Sequence, residues 1–87
     1  MDTKFDELLE FPCIQNFKIM GVADPALPAQ VVSCIQSLAP GDYAPKIKPS
    51  RKGNYHALSL PVRVTSKEHM ESVYTELAKL DLVRVVI

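Results

Sequence analysis

No stretch of the chain stays apolar for the roughly 18 positions a membrane helix needs, and the first ten residues are acidic rather than a basic lead into an apolar run, so neither a membrane span nor a signal peptide is expected. There is no CxxC pair. The two cysteines, Cys13 and Cys34, stand far apart with no histidine at ligand spacing, which predicts two small buried hydrophobes in a reducing, cytoplasmic setting. There is no net charge either. Ten basic residues balance ten acidic ones, which argues against a protein that works by bulk attraction to nucleic acid or to a membrane.

Charge is nonetheless unevenly placed. Asp2, Asp6, Glu7 and Glu10 crowd the first ten residues against Lys4 alone. From Tyr43 to Lys67 there is no acid, yet that stretch holds Lys46, Lys48, Arg51, Lys52, Arg63 and Lys67. The whole chain, 1–87, is short enough to be one domain, and 47% of it is apolar, enough for a core.

Residues 1–11 read as an irregular lead-in tied down by Leu8, Leu9 and Phe11. "CIQNFKIMG" alternates as a strand, with Cys13, Gln15, Phe17 and Ile19 on one face and Ile14, Asn16, Lys18 and Met20 on the other. A helix follows, with Asp24 as N-cap, Pro25 at its first position, a stripe of Leu27, Val31, Cys34, Ile35 and Leu38, and a stop at Pro40-Gly41. "YAPKIK" reads as a short strand and "PSRKGN" as a turn. "YHALSLPVRVT" reads as a strand with Leu58, Leu60, Val62 and Val64 on its core face. Pro61 cannot donate to a ladder, so a bulge or a missing pairing is expected at residues 60–62.

Thr65 and Glu68 have the spacing of a capping box and open a helix with Met70, Val73, Tyr74, Leu77 and Leu80 on one stripe; "LVRVVI" closes the chain as a strand. Strand, helix, strand, strand, helix, strand, with one apolar face on every element, specifies an α+β two-layer sandwich: the ferredoxin-like βαββαβ arrangement, an antiparallel four-stranded sheet with strands 1 and 3 central and two helices on one face. The core should hold Phe17, Ile19, Val31, Ile35, Leu58, Leu60, Val62, Val73, Leu77 and Val85.

Catalysis finds little support. The loop after strand 1, "MGVADPAL", carries no cation to hold a phosphate. His56 and His69 have no second metal ligand at proper spacing, and no nucleophile sits beside a base. RNA-recognition domains share this element order and stack bases on sheet aromatics, and "KGNYH" loosely resembles their Lys-Gly-aromatic start. Only Tyr55 offers an aromatic among the open-face residues of strand 3, so nucleic acid ranks below a small ligand. Gly21, where strand 1 meets helix 1, is placed as ligand sites are in small βαββαβ domains of the ACT type.

"LLEFPC", "FKIMG", "APGDY", "KPSRKGNYH" and "YTELAKLDLVRVV" together resemble the YbeD family of small bacterial proteins across essentially the whole chain. The resemblance implies an ACT-like ferredoxin fold and a regulatory protein linked to lipoate. It supplies no catalytic residue to carry over, and no cofactor or metal is expected. Phe11, Pro12, Lys18, Gly21, Pro49, Ser50, Lys52, Gly53 and Tyr55 match family-typical positions, whereas Gln15, Arg51 and Pro61 depart from them. Arg51 makes the turn more basic than is usual in the family.

The function expected is therefore that of a non-enzymatic regulatory or binding protein, with an RNA-binding module as the alternative and a protein-interaction adaptor third. The candidate contact residues are Gly21, Lys46, Lys48, Ser50, Arg51, Lys52, Gly53 and Tyr55. They suit a carboxylate-bearing ligand or an acidic patch on a partner, because arginine offers a bidentate fork and lysine a point charge. A homodimer or protein partner is expected through the edge strands or the open sheet face.

Overall fold

The computed structural model describes residues 10–87, so the lead-in expected over residues 1–11 lies, up to residue 9, outside the described residues. The elements are β1 (Cys13–Val22), α1 (Ala26–Leu38), β2 (Lys46–Pro49), β3 (Tyr55–Val64), α2 (Lys67–Ala78) and β4 (Val83–Val86). They form a four-stranded antiparallel sheet in the order β2-β3-β1-β4, with both helices on one face.

The central pair sets the frame. β1 and β3 run opposite one another for ten residues without a shift, Phe17 facing Leu60 and Ile19 facing Leu58. Their inward side chains, with Val62 and Val64, are fully or almost fully buried, against Leu27, Val31 and Ile35 of α1 and Met70, Val73 and Leu77 of α2. The Phe17 ring meets that of Tyr74 at 4.8 Å between centroids and a tilt of 59°, a geometry that adds to the area buried.

Both helix starts depart slightly from expectation. Pro25 is itself helical in φ and ψ, and α1 begins at Ala26, whose N–H donates to the Asp24 carboxylate at 2.8 Å. Asp24 thus satisfies a first-turn donor as expected. On α2 the cap is Ser66 rather than Thr65. Its Oγ accepts from the His69 N–H at 3.0 Å, and His69 Nδ1 accepts from the Thr65 N–H at 3.0 Å. The histidine does the reciprocal work that Glu68 was expected to do. A backbone N–H can only donate, so the ring proton sits on Nε2, which donates to the Leu38 carbonyl at 2.9 Å. One imidazole therefore closes the start of α2 and satisfies one of the free carbonyls at the end of α1.

Two further expectations are corrected. The first is Val85, placed in the core from the alternation of "LVRVVI", which is 46% exposed. β1 and β4 pair as Ile19 with Val86 and Met20 with Val85, then shift so that Gly21 faces Val83. Arg84 is the extra residue of this bulge. Parity changes across it, so Val83 and Val86 face the core and Val85 faces out. The second is the "YAPKIK" strand, which starts only at Lys46, after Pro45, and runs through Pro49.

Pro61 meets its expectation in the second of the two forms given: no bulge forms, but pairing is missing on one side of β3 at residues 60–62. Lys18 exchanges both backbone hydrogen bonds with Ile87, so even-numbered residues of β1 turn their N–H toward β4. Pro61 stands opposite Asn16 and so turns its nitrogen away from β1. On that other side the β2 ladder ends at the pair Lys46–Ser59, and the missing donor is not called upon.

The packing carries a direct test. Leu77 is fully buried between α2 and the sheet, so Leu77→Ala should cost about 2–5 kcal/mol. Urea unfolding followed by circular dichroism measures this, and a loss within experimental error would contradict the packing described.

Candidate functional site

The sheet has one covered and one open face. On the open face side chains line up in cross-strand rows: Ile87, Lys18, Ser59 and Lys46 in one, then Val85, Met20, Ala57 and Lys48 in the next. Ile14 and Arg63 pair at one end, and Val22 and Tyr55 at the other. None of the four strands contains an acid. Five of the large apolar side chains left exposed, Ile14, Met20, Tyr55, Val85 and Ile87, are on this face. It is therefore mixed apolar and cationic.

The hairpin between β2 and β3 sits at the Tyr55 end of that face and is built by local hydrogen bonds. Ser50 N–H donates to the Tyr55 carbonyl at 2.8 Å, Tyr55 N–H to Ser50 Oγ at 3.2 Å, and Gly53 N–H to the Ser50 carbonyl at 3.0 Å. Gly53 has φ of +75°, the left-handed region where glycine pays no steric cost. The Asn54 carbonyl accepts from the Ala23 N–H at 3.0 Å, which ties the turn to the exit of β1. Pro49, the last residue of β2, lies on an edge strand, where its missing donor is tolerated.

Beside this turn lies a hollow of about 260 Å³ lined by Met20, Lys48, Ser50, Arg51, Tyr55 and neighbouring residues of β2 and β3. It brings together four of the residues singled out from sequence. Lys46 belongs to the same face but lines a separate shallow depression with Asn16, Ser59 and Pro61. Lys52 and Gly53 stand exposed at the tip. Gly21 is not part of this cluster. It is buried on the helix side, and a Cβ there would come within 2.5 Å of the Leu82 carbonyl oxygen and 2.7 Å of Leu27 Cδ1. Close packing of β1 against α1 and the approach to β4 account for this glycine. Met20, which sequence reading left out of the site, lines the hollow; its outward parity next to Tyr55 and Lys48 was the available signal.

A second and larger concavity, about 690 Å³, is the valley between the two helices, lined by residues that include Gln30, Ser33, Cys34, Glu76, Lys79 and Leu80. Its charged rim is closed on itself: Lys79 pairs with Glu76 at 2.9 Å. Gln30 Oε1 is buried there with no hydrogen-bond partner, a local cost. Burial pushes the Cys34 thiol above its ordinary range, and the nearby Glu76 carboxylate pushes it further the same way. Cys13 and Cys34 are both free thiols packed against the core, half-buried rather than buried as expected. Among the described residues no three of His, Cys, Asp and Glu gather as a metal site, and no helix is long and apolar enough to cross a membrane.

Residues 6–87 match the family described as proteins of unknown function, DUF493. The chain belongs to that family. A UPF0250 protein of Photorhabdus laumondii is 54% identical over 87 residues, and one of Sodalis glossinidius is 53% identical; both comparisons cover the full length of both chains. The resemblance to YbeD proteins is thereby shown. Among solved structures, the solution structure of protein HP0495 from H. pylori superposes with a TM-score of 0.70 at 12% identity, over 91% of this chain and 85% of that one. The ACT domain from GTP pyrophosphokinase of Chlorobium tepidum superposes with a TM-score of 0.61 at 17% identity, over 85% and 94%. At such identities the likeness is one of fold: this DUF493 chain is an ACT-like ferredoxin-type domain.

Two measurements follow. Gly21→Ala should destabilise the fold by about 1–3 kcal/mol, because backbone as well as a side chain blocks the new methyl group; an unchanged unfolding midpoint would show that the approach is not tight. For Cys34, removing the neighbouring negative charge should lower the thiol pKa and raise the thiolate fraction, so Glu76→Gln should speed alkylation by iodoacetamide near pH 8. Peptide mass spectrometry reads the rate at Cys34, and a slower reaction would contradict the assigned cause.

Proposed function

We propose that this DUF493 protein is a non-catalytic binding protein that takes a small carboxylate in the hollow beside the β2–β3 hairpin. One observation carries the reading: Lys48 and Arg51 line the same 260 Å³ hollow as the apolar surfaces of Met20 and Tyr55. Among the described residues no acid pairs with either cation. An arginine fork and a lysine charge suit a carboxylate, and the Met20 and Tyr55 surfaces suit a short aliphatic chain. The volume is slightly below the range of about 300 Å³ and upward usual for ligand sites, which favours a fatty-acid head over a bulky ligand. Octanoate and lipoate have that chemistry, and the family's proposed lipoate link points to the same class. The role this supports is regulatory, in the cytoplasm, with the ligand state passed to a protein partner or a second copy through the sheet edges. RNA is the lesser reading, because Tyr55 is the one aromatic on the open face among the described residues, and stacking platforms need more.

A thermal-shift series against octanoate, lipoate, free amino acids and a short RNA tests this. A ligand present at 100 times its Kd adds about 2.7 kcal/mol, roughly 10 °C or more for a domain of this size. Octanoate or lipoate should raise the melting temperature, and Lys48→Glu with Arg51→Glu should abolish the rise while leaving the unliganded melting temperature nearly unchanged. No shift with any carboxylate, or a shift with RNA alone, would overturn the proposal.

A further inference from the structure

Away from the hairpin hollow, the open face keeps a second group of cations and a depression of its own. Lys18 and Lys46 stand in one cross-strand row, with Ser59 between them and Ile87 beyond Lys18. Asn16 and Pro61 form the next row, and Ile14 and Arg63 the one after it. Asn16, Ala44, Lys46, Ser59 and Pro61 line a depression of about 270 Å³ among these rows. Lys18, Lys46 and Arg63 all lie outside the hollow, and among the described residues none of them pairs with an acid. Ile14 and Ile87 flank them, both well exposed.

Unpaired charges of one sign around a depression match an occupant that carries acids on either side of one apolar side chain. Spacing selects its form. Lys18 and Lys46 lie two strands apart, which is about 10 Å at the spacing of a sheet. Positions i and i+7 of an α-helix are separated by about 10.5 Å along its axis. A helix laid across the strands thus sets two acids on Lys18 and Lys46 and the side chain at i+3 or i+4 over Ser59 and the depression. A second copy of this face is a poor occupant, because it would set Lys18, Lys46 and Arg63 against like charges, which is costly across an interface. Nucleic acid is poorer too: none of these rows holds an aromatic side chain on which a base could stack.

We propose that this half of the open face docks an acidic amphipathic helix of another protein, with its carboxylates on Lys18 and Lys46 and one apolar side chain in the depression lined by Asn16, Ser59 and Pro61. Arg63 offers a further fork to an acid at the margin. The contact does not depend on what the hollow binds, since neither Lys48 nor Arg51 takes part in it. It seats a partner beside the hairpin site rather than over it.

Titration of the ¹⁵N-labelled full-length protein with a synthetic helical peptide, bearing glutamates at i and i+7 and leucines at i+3 and i+4, tests the contact by NMR. The expected result is saturable amide shifts at Asn16, Lys18, Lys46 and Ser59 that weaken as salt is raised. Lys18→Glu with Lys46→Glu should weaken binding by about tenfold or more, and serines in place of the peptide's leucines should weaken it comparably. Lys48→Glu with Arg51→Glu should leave the peptide Kd unchanged. Three results would overturn the proposal: no saturable shift, shifts centred on the hairpin from Ser50 to Tyr55, or equal binding of the serine peptide, which would mean attraction by charge alone. A short RNA that binds the same residues more tightly than the peptide would also overturn it, in favour of nucleic acid. So would a dimer of the free protein, seen by sedimentation, that Lys18→Glu with Lys46→Glu dissociates.

Discussion

The register of β1 against β3 is the constraint on which the other elements depend. Side chains along a strand alternate with period two, so a slip of one residue would carry Phe17 and Ile19 to the open face and bring Lys18 and Met20 into the core. Phe17, Ile19, Leu58 and Val62 have no exposed surface, and burying each stabilises the domain by about 1.5–3 kcal/mol. An unpaired lysine in their place would cost several more. Both helices then have a single apolar surface to cover, and the positions of Val31, Ile35, Val73 and Leu77 follow from it.

This dependence explains which parts of the structure were legible in the sequence. The parity of β1 and β3, the helix stripes and the strand order follow from periodicity over ten or more residues, where chance matches are few. β4 was misread because its four residues pair with β1 across a bulge at Arg84. Nothing in "LVRVVI" distinguishes six alternating residues from two short runs out of phase. That bulge also changes how the edge is read. The Arg84 guanidinium turns back onto the Asp81 carbonyl at 2.6 Å, and a bulged, charged edge is less open to further pairing than a flat apolar one. The cap of α2 was misplaced by one residue because a histidine can accept where a glutamate is usually sought, and its third partner, the Leu38 carbonyl, lies 31 residues away in sequence.

The candidate site divides along the same line. Lys48, Ser50, Arg51 and Tyr55 are neighbours through one hairpin, so their clustering could be read from sequence alone. Met20 joins them through β1–β3 pairing, and only the register reveals it. Gly21, one residue further along β1, points the opposite way into packed side chains. Neighbouring positions on one strand therefore answer to different surroundings, the open face at Met20 and close backbone approach at Gly21.

The two faces also differ in what they contribute to folding. A domain of 87 residues has a thin stability margin, and nearly all of its buried apolar surface lies on the helix side of the sheet. Outward residues such as Lys48 and exposed loop residues such as Arg51 have few native contacts to lose, and surface changes of that kind stay within about 0.5 kcal/mol each. The hairpin that carries them is fixed by backbone hydrogen bonds, including Asn54 to Ala23, which side-chain substitution leaves in place. Charge on the open face can thus be altered with little effect on the fold. An acid-free set of strands is then not something the core requires: the helix-side packing would tolerate glutamate at Ser59 or Ala57 as readily as serine or alanine. A cationic face that the fold does not need is what the carboxylate site proposed at the hairpin requires.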